Sequence, residues 1–299
     1  MTRTTRCGFV AMLGAPNAGK STLVNRMVGA KVAIVSPKVQ TTRSRVTGLL
    51  VEADVQAVFL DLPGVFQPKR RLDRAMVDAA WRGVEEADRR WLVVDSAHTD
   101  ADEAALVVEG LRKRNLSADI VLNKTDLIDP PKLLTLAKRY ADTGLAGEVF
   151  MVSAETGDGC MRLKDHLLQS LPEGPFLYPE DDVSDLPARL LAAEVTREQI
   201  FRQLHQELPY AASVETEKFD ERDDGSARIE QTIYVAREGQ RKIVIGAKGE
   251  RIKKIGESSR IELAKLLDRK VHLFLHVKVQ EKWDEKRDFY KAWGLEFDA

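Results

Sequence analysis

Eight residues near the amino terminus constrain this chain more than any others. Gly14-Ala15-Pro16-Asn17-Ala18-Gly19-Lys20-Ser21 read GxxxxGKS, directly after the apolar run 8–13 and at the start of a helical pattern over 20–28. In that context the glycines permit a loop whose main-chain N–H groups point inward, at the positive end of a helix. Such a loop cradles phosphate oxygens. Lys20 is then placed to bridge the β- and γ-phosphates of a nucleoside triphosphate. The Ser21 hydroxyl is placed to hold Mg²⁺, and Thr22 continues the cradle.

The residues that follow repeat one theme. Short apolar runs at 57–60, 91–94, 120–122 and 149–152 alternate with helical patterns at 72–86, 102–114, 132–140 and 163–170. Residues 47–55 read as one further strand, antiparallel and near an edge. This alternation predicts an α/β fold with a doubly wound mixed sheet, which binds ligands at the carboxyl ends of its strands. At 299 residues there is room for a second domain. Residues 171–185 hold three prolines, a glycine and five acids, with no helical or strand period. They read as a linker. The expected division is a nucleotide domain at 6–171, a linker at 172–185 and a smaller α+β domain at 186–299. Within the last, the pattern predicts an amphipathic helix at 186–207 and strands at 211–219 and 226–235. A helix from near Gly239, a basic helix after a loop within 246–267, a strand at 271–279 and a final helix at 284–293 follow.

Apolar residues make up 43% of the chain, too many for a disordered one. No apolar run reaches the length of a membrane span. Two cysteines, Cys7 and Cys160, exclude a disulfide framework or a Cys-rich zinc site, and a cytoplasmic chain is expected. The net charge of −1 conceals a division: 13 acids against 6 bases over 181–236, then 12 bases against 5 acids over 237–278.

Asn123-Lys124-Thr125-Asp126, just after the apolar run 120–122, selects the base. Guanine presents N1–H and N2–H₂ as adjacent donors, and the Asp126 carboxylate accepts both. Adenine would leave that carboxylate without a partner, at a cost of kcal/mol. Ser153-Ala154, after the next strand, adds a contact to the base. Asp61-Leu62-Pro63-Gly64 closes the strand at 57–60. Asp61 there can reach Mg²⁺ through water, and the Gly64 N–H can donate to a γ-phosphate. In Thr41-Thr42-Arg43 one threonine hydroxyl, most naturally Thr42, completes the metal's oxygen set. Both segments would order around a triphosphate and relax after hydrolysis.

These segments, in this order over residues 9–171, resemble the sequential motifs of the GTPase superfamily. The resemblance implies GTP and GDP as ligands and Mg²⁺ as cofactor, with Lys20, Asn17, Thr42 and Gly64 serving catalysis. One departure stands out. Val65 follows Gly64 where Ras-type proteins carry a catalytic glutamine, and an aliphatic side chain cannot orient water, so slow intrinsic hydrolysis is expected. In the branch containing TrmE-like and Era-like proteins, an asparagine at the position of Asn17 can ligate K⁺ where an arginine finger would stand. A loop asparagine that stabilises its own turn is the other reading.

A second motif lies in the basic block. Gly246-Ala247-Lys248-Gly249 follows Ile243-Val244-Ile245 and precedes a helix with Arg251, Lys253 and Lys254. Read alone, GxxG is a tight turn. With a basic helix after it and the order α–β–β–α–α–β around it, it resembles a type II KH domain, whose GxxG loop clamps about four nucleotides. Ile245 joins this set at the loop's entry. Ile243, Ile245, Ile252 and Ile255 are either a groove floor or plain core.

A sequential GTPase with a carboxyl-terminal type II KH domain resembles the bacterial Era family. Gln40-Thr41-Thr42-Arg43 and Glu207-Leu208-Pro209-Tyr210 fit it as well. The resemblance implies binding to the 3′ end of 16S ribosomal RNA and assistance to 30S subunit maturation. It also implies occasional peripheral association at the inner membrane face, and a monomer is expected. A membrane-docking or protein-docking GTPase is the alternative. Elsewhere, His272 and His276 share one strand face and read as strand packing. Cys160 reads as incidental, Arg43 as a solvent or RNA contact in preference to a catalytic residue in cis, and Trp283 and Trp293 as packing on the second domain's core.

Overall fold

The computed structural model describes residues 4–299 apart from 37, 39, 40, 99, 100, 205–207 and 209. Described residues fall into two compact units. One comprises Met1–Ala33, Thr42–Asp185 and Tyr290–Ala299; the other comprises Ile34–Thr41 and Leu186–Phe289. These bounds differ from the expected ones, since 172–185 and the last ten residues cluster with the first unit and 34–41 with the second.

The first unit is built on six strands: β1 (Arg6–Leu13), β2 (Val46–Glu52), β3 (Val55–Asp61), β4 (Arg89–Asp95), β5 (Ala118–Asn123) and β6 (Ala146–Met151). They stand in the order β2-β3-β1-β4-β5-β6, all parallel except edge strand β2. Buried Val, Ile, Leu and Phe fill both sheet faces, as a doubly covered parallel sheet requires. Helices α1 (Lys20–Val28) and α5 (Cys160–Ser170) cover one face; α2 (Arg71–Glu86), α3 (Ala101–Lys113) and α4 (Pro130–Ala141) cover the other.

Residues 47–55 are not one strand. β2 ends at Glu52, Ala53 takes the left-handed conformation (φ 52), and Val55 already belongs to β3. The reversal was hidden because no glycine or proline marks it. The stretch 171–185 carries no helix, yet it is pinned to the first unit. The Leu49 N–H donates to Val183 O (2.9 Å), and Ser184 Oγ donates to Thr47 O (2.7 Å). These bonds occupy β2's otherwise open edge, which a sheet must cover.

The second unit has the expected order: α6 (Ala188–Gln203), β7 (Ala212–Glu221), β8 (Ala227–Val235), α7 (Glu238–Ile245), α8 (Glu250–Leu266) and β9 (Val271–Val279). β8 pairs antiparallel with β7 and parallel with β9. Parallel neighbours need a crossover, and α7 with α8 supplies it. α6 is not the amphipathic helix expected, because the stretch Val195–Phe201 is buried throughout, polar residues included. It ends at Gln203, and the remainder of the expected helix to 207 includes residues outside those described.

A last helix, α9 (Arg287–Ala292), precedes the chain end. Trp283 packs as expected in the second unit, where its indole N–H donates to Ala211 O (2.9 Å). Trp293 does not: it belongs to the first unit, with Arg43 over its ring. Among the described residues no helix is long and apolar enough to cross a membrane.

Candidate functional site

The phosphate loop leaves β1 at its carboxyl end. At Gly14 (φ 147) a Cβ would lie 2.2 Å from Val93 O, and at Gly19 (φ 92) one would lie 2.2 Å from Asn123 Nδ2. Neither position admits another residue. Asn17, exposed on the loop, also has positive φ (62), which asparagine tolerates. Lys20 is buried, and its Nζ donates to Gly14 O (3.2 Å) and Ala15 O (2.9 Å), so its ammonium sits against the loop's own carbonyls. Pro16 packs so closely on Gly64 that a Cβ there would lie 2.7 Å from the Pro16 nitrogen. Thr22 lies in the first turn of α1.

Three oxygen-bearing side chains meet beside the loop. Ser21 Oγ donates to Asp61 Oδ2 (2.6 Å) and lies 3.0 Å from Thr42 Oγ1, which donates to the same carboxylate oxygen (3.3 Å). Asp61 is completely buried, and its Oδ1 has no partner among the described residues. Burial pushes its carboxyl upward in pKa, against the Ser21 hydrogen bond, the Lys20 charge and the Thr42 hydrogen bond, which pull it down. A buried carboxylate oxygen without a donor, beside two hydroxyls, is a hard oxygen set that suits Mg²⁺. Thr41 is turned elsewhere, bonded to Ser36 Oγ (2.8 Å) and Lys38 O (2.8 Å). Leu62, Pro63 and Val65 are buried. Val65 donates its N–H to Gly14 O (3.1 Å), so its side chain is core and presents no polar atom to water.

Asp126 is exposed in the short turn Thr125–Leu127 that follows β5. Asn123 is a brace. Its Nδ2 donates to Ala18 O (2.9 Å) and its Oδ1 accepts the Ala154 N–H (2.9 Å), which ties the phosphate loop to the 153–154 loop. Ser153 Oγ accepts the Thr156 N–H (3.1 Å) and shapes that loop. Two positioning residues escaped the sequence analysis. Asp95, at the end of β4, holds Lys124 Nζ at 2.5 Å. Arg26 on α1 donates through Nε to Ala154 O (3.0 Å) and also reaches Glu155 O. Asp95 carried a signal, because it ends a strand on the side where ligands gather. Arg26 carried none.

The GxxG loop sits between α7 and α8. Gly246 (φ 75) could not carry a Cβ, which would lie 2.7 Å from Arg251 Cβ. Gly249 (φ 78) has nothing within 4 Å of where a Cβ would stand, so its backbone faces open space. Ala247 and Lys248 are exposed, as are Arg251, Lys253 and Lys254. A groove of about 520 Å³ runs along Gly246, Ala247, Arg251 and Lys254, and α6 adds Arg202 and Gln203 to its wall. Those two were not anticipated. Ile255 is fully buried core, Ile245 and Ile252 are half-buried, and Ile243 is exposed. Cys160 is buried and its thiol is pushed up in pKa by that burial, which makes it a poor nucleophile.

Comparison with known proteins agrees with this geometry. The family of 50S ribosome-binding GTPases matches residues 9–124, and the KH domain family matches residues 207–284. GTPase Era of Caulobacter vibrioides (strain NA1000 / CB15N) is 55% identical over 312 residues, covering 100% of this chain and 99% of that protein. GTPase Era of Rhizobium meliloti (strain 1021) is 53% identical over 293 residues, covering 98% and 94%. Among solved structures, Era in complex with MgGDPNP and nucleotides 1506-1542 of 16S ribosomal RNA superposes with a TM-score of 0.92 at 36% identity, covering 97% of this chain and 99% of that one. An Aquifex aeolicus Era variant bound to GDP.AlF4- gives 0.89 at 36% identity with the same coverage. With a guanine-nucleotide pocket, a KH-type groove and full-length relatives above half identity, the chain belongs to the Era family of GTPases.

Proposed function

We propose that this GTPase binds 16S ribosomal RNA near its 3′ end through the GxxG groove, that nucleotide state governs this binding, and that the protein thereby assists maturation of the 30S subunit. In the nucleotide site, Lys20 and the loop amides hold the phosphates and Asp126 reads the guanine. Ser21, Thr42 and Asp61 hold Mg²⁺, which neutralises charge on the phosphates when bound. The Gly64 N–H is placed for a γ-phosphate oxygen, and the buried Val65 leaves hydrolysis slow.

One observation carries the coupling. The polar segment that leads to Thr42 begins within the second unit. There the Val35 N–H donates to Glu198 Oε1 (3.1 Å), and Arg202 donates to the same oxygen (2.8 Å) and to Val35 O (3.3 Å). Arg202 also lines the groove. Val35, in the segment that leads along the chain to Thr42, therefore stands one hydrogen bond from a groove residue. Family resemblance supports a cytoplasmic monomer with peripheral contact at the inner membrane face.

The double variant Gly246→Asp/Gly249→Asp tests the RNA assignment. It places two carboxylates where a phosphate chain must pass, and is expected to weaken binding of an RNA matching the 16S 3′ end about 100-fold or more while GTP hydrolysis persists. Retained RNA affinity would refute the clamp. Anionic vesicles serve as the second arm, because lipid binding depends on charge and not on the GxxG backbone.

A further inference from the structure

The last ten residues, Tyr290–Ala299, belong to the first unit although they follow the second in sequence. Their contacts fall on the two segments that flank the triphosphate site. Arg43, adjacent to Thr42, is buried, and its guanidinium carbon lies 5.5 Å from the centroid of the Trp293 ring. The expectation that Arg43 meets solvent or RNA is thereby corrected. Arg71, at the start of α2, stands 4.5 Å over the Phe297 ring, and Phe297 meets Tyr290 edge-on at 4.9 Å. Glu296 pairs with Arg82 further along α2. A tight turn sets these side chains: the Leu295 N–H returns to Tyr290 O (2.8 Å), Gly294 takes φ 65, and Leu295 and Tyr290 are buried.

We propose that this carboxyl-terminal segment is a positioning element of the GTPase site, in which Trp293 holds Arg43 and so sets Thr42 for the metal and the γ-phosphate, while Phe297 and Glu296 steady α2 behind Gly64. A buried guanidinium on an aromatic face is favourable and directional, so it restrains the adjacent backbone. The inference rests on the reading of Thr42 as a metal and phosphate contact. GDP lacks the γ-phosphate, so the segment matters for GTP turnover and little for GDP binding.

The test compares Trp293→Leu, Trp293→Phe and Thr42→Ala in the full chain, measuring kcat and KM for GTP, affinity for GDP and thermal unfolding. Trp293→Leu keeps apolar bulk but loses the ring face, and is expected to lower kcat about tenfold with GDP affinity within about twofold of the parent. Trp293→Phe keeps a ring and should restore most of kcat. The proposal is overturned if Trp293→Leu turns over GTP at the parent rate while Thr42→Ala does not, for then the threonine reading stands without the tail. It is equally overturned if Trp293→Leu loses GDP affinity in step with kcat, or if the phenylalanine variant behaves like the leucine one. An active Thr42→Ala would instead remove the threonine reading and the inference with it.

Discussion

The role proposed for Asp126 is to decide which purine enters the pocket, because a carboxylate can accept from both N1–H and N2–H₂ of guanine. Asp126→Asn replaces one acceptor oxygen with a donor that faces a donor. GTP affinity is expected to fall about 100-fold or more, since charged hydrogen bonds contribute about 1.5–3 kcal/mol each. A base carrying a 2-oxo group in place of N2–H₂ should bind the variant comparatively better, and competition titration with the two nucleotides reads both effects. The placement of Asp126 was legible in sequence, because the motif sits at a strand end. Asn123 shows where legibility stopped. It was read as part of the base site, yet its amide joins Ala18 to Ala154. Which partner an amide finds across about 100 residues leaves no mark in its neighbours. Arg43 is the sharper case, since a charged residue in a polar stretch reads as exposed and this one is buried.

At the level of elements, α6 departed most from expectation. It was expected to be an amphipathic helix, but Thr196, Arg197 and Glu198 are all buried. They are accommodated by pairing. Arg197 is held by Glu194, and Thr196 Oγ1 donates to Gln231 Oε1 (2.6 Å), whose Nε2 donates to Thr216 Oγ1 (3.1 Å). A chain of buried hydrogen bonds tolerates no missing member. Thr196→Val preserves shape and leaves the Gln231 oxygen without its donor, so it should destabilise the protein by about 1–3 kcal/mol. Urea denaturation should show a lower midpoint at unchanged slope for valine, and near-parent behaviour for Thr196→Ser. The strands of the first unit were easier to read, because a strand buried on both faces is an apolar run whatever its partners. The β2–β3 reversal was missed because Ala53, not glycine, takes the left-handed turn.

At the scale of the whole molecule, the coupling proposed between nucleotide state and RNA binding can be tested at Glu198, which accepts from both Val35 and Arg202. Glu198→Gln keeps the shape and weakens the hold on Arg202. The ratio of RNA affinities with a non-hydrolysable GTP analogue and with GDP should then shrink toward one, by up to about tenfold for a coupling of about 1.4 kcal/mol. Titration of labelled RNA in each nucleotide state measures it, and a ratio equal to the parent's would eliminate this route. By itself the sequence determined the phosphate loop, the turn that carries Asp126 after its strand, the GxxG loop and the order of elements around them. Those features depend on backbone freedom and side-chain chemistry within a few residues, and both are written locally. Only the tertiary structure decided that Arg202 joins the groove, that residues 171–185 cover an edge strand, and that Trp293 meets Arg43. Such contacts join positions far apart along the chain, where neither periodicity nor spacing can register them.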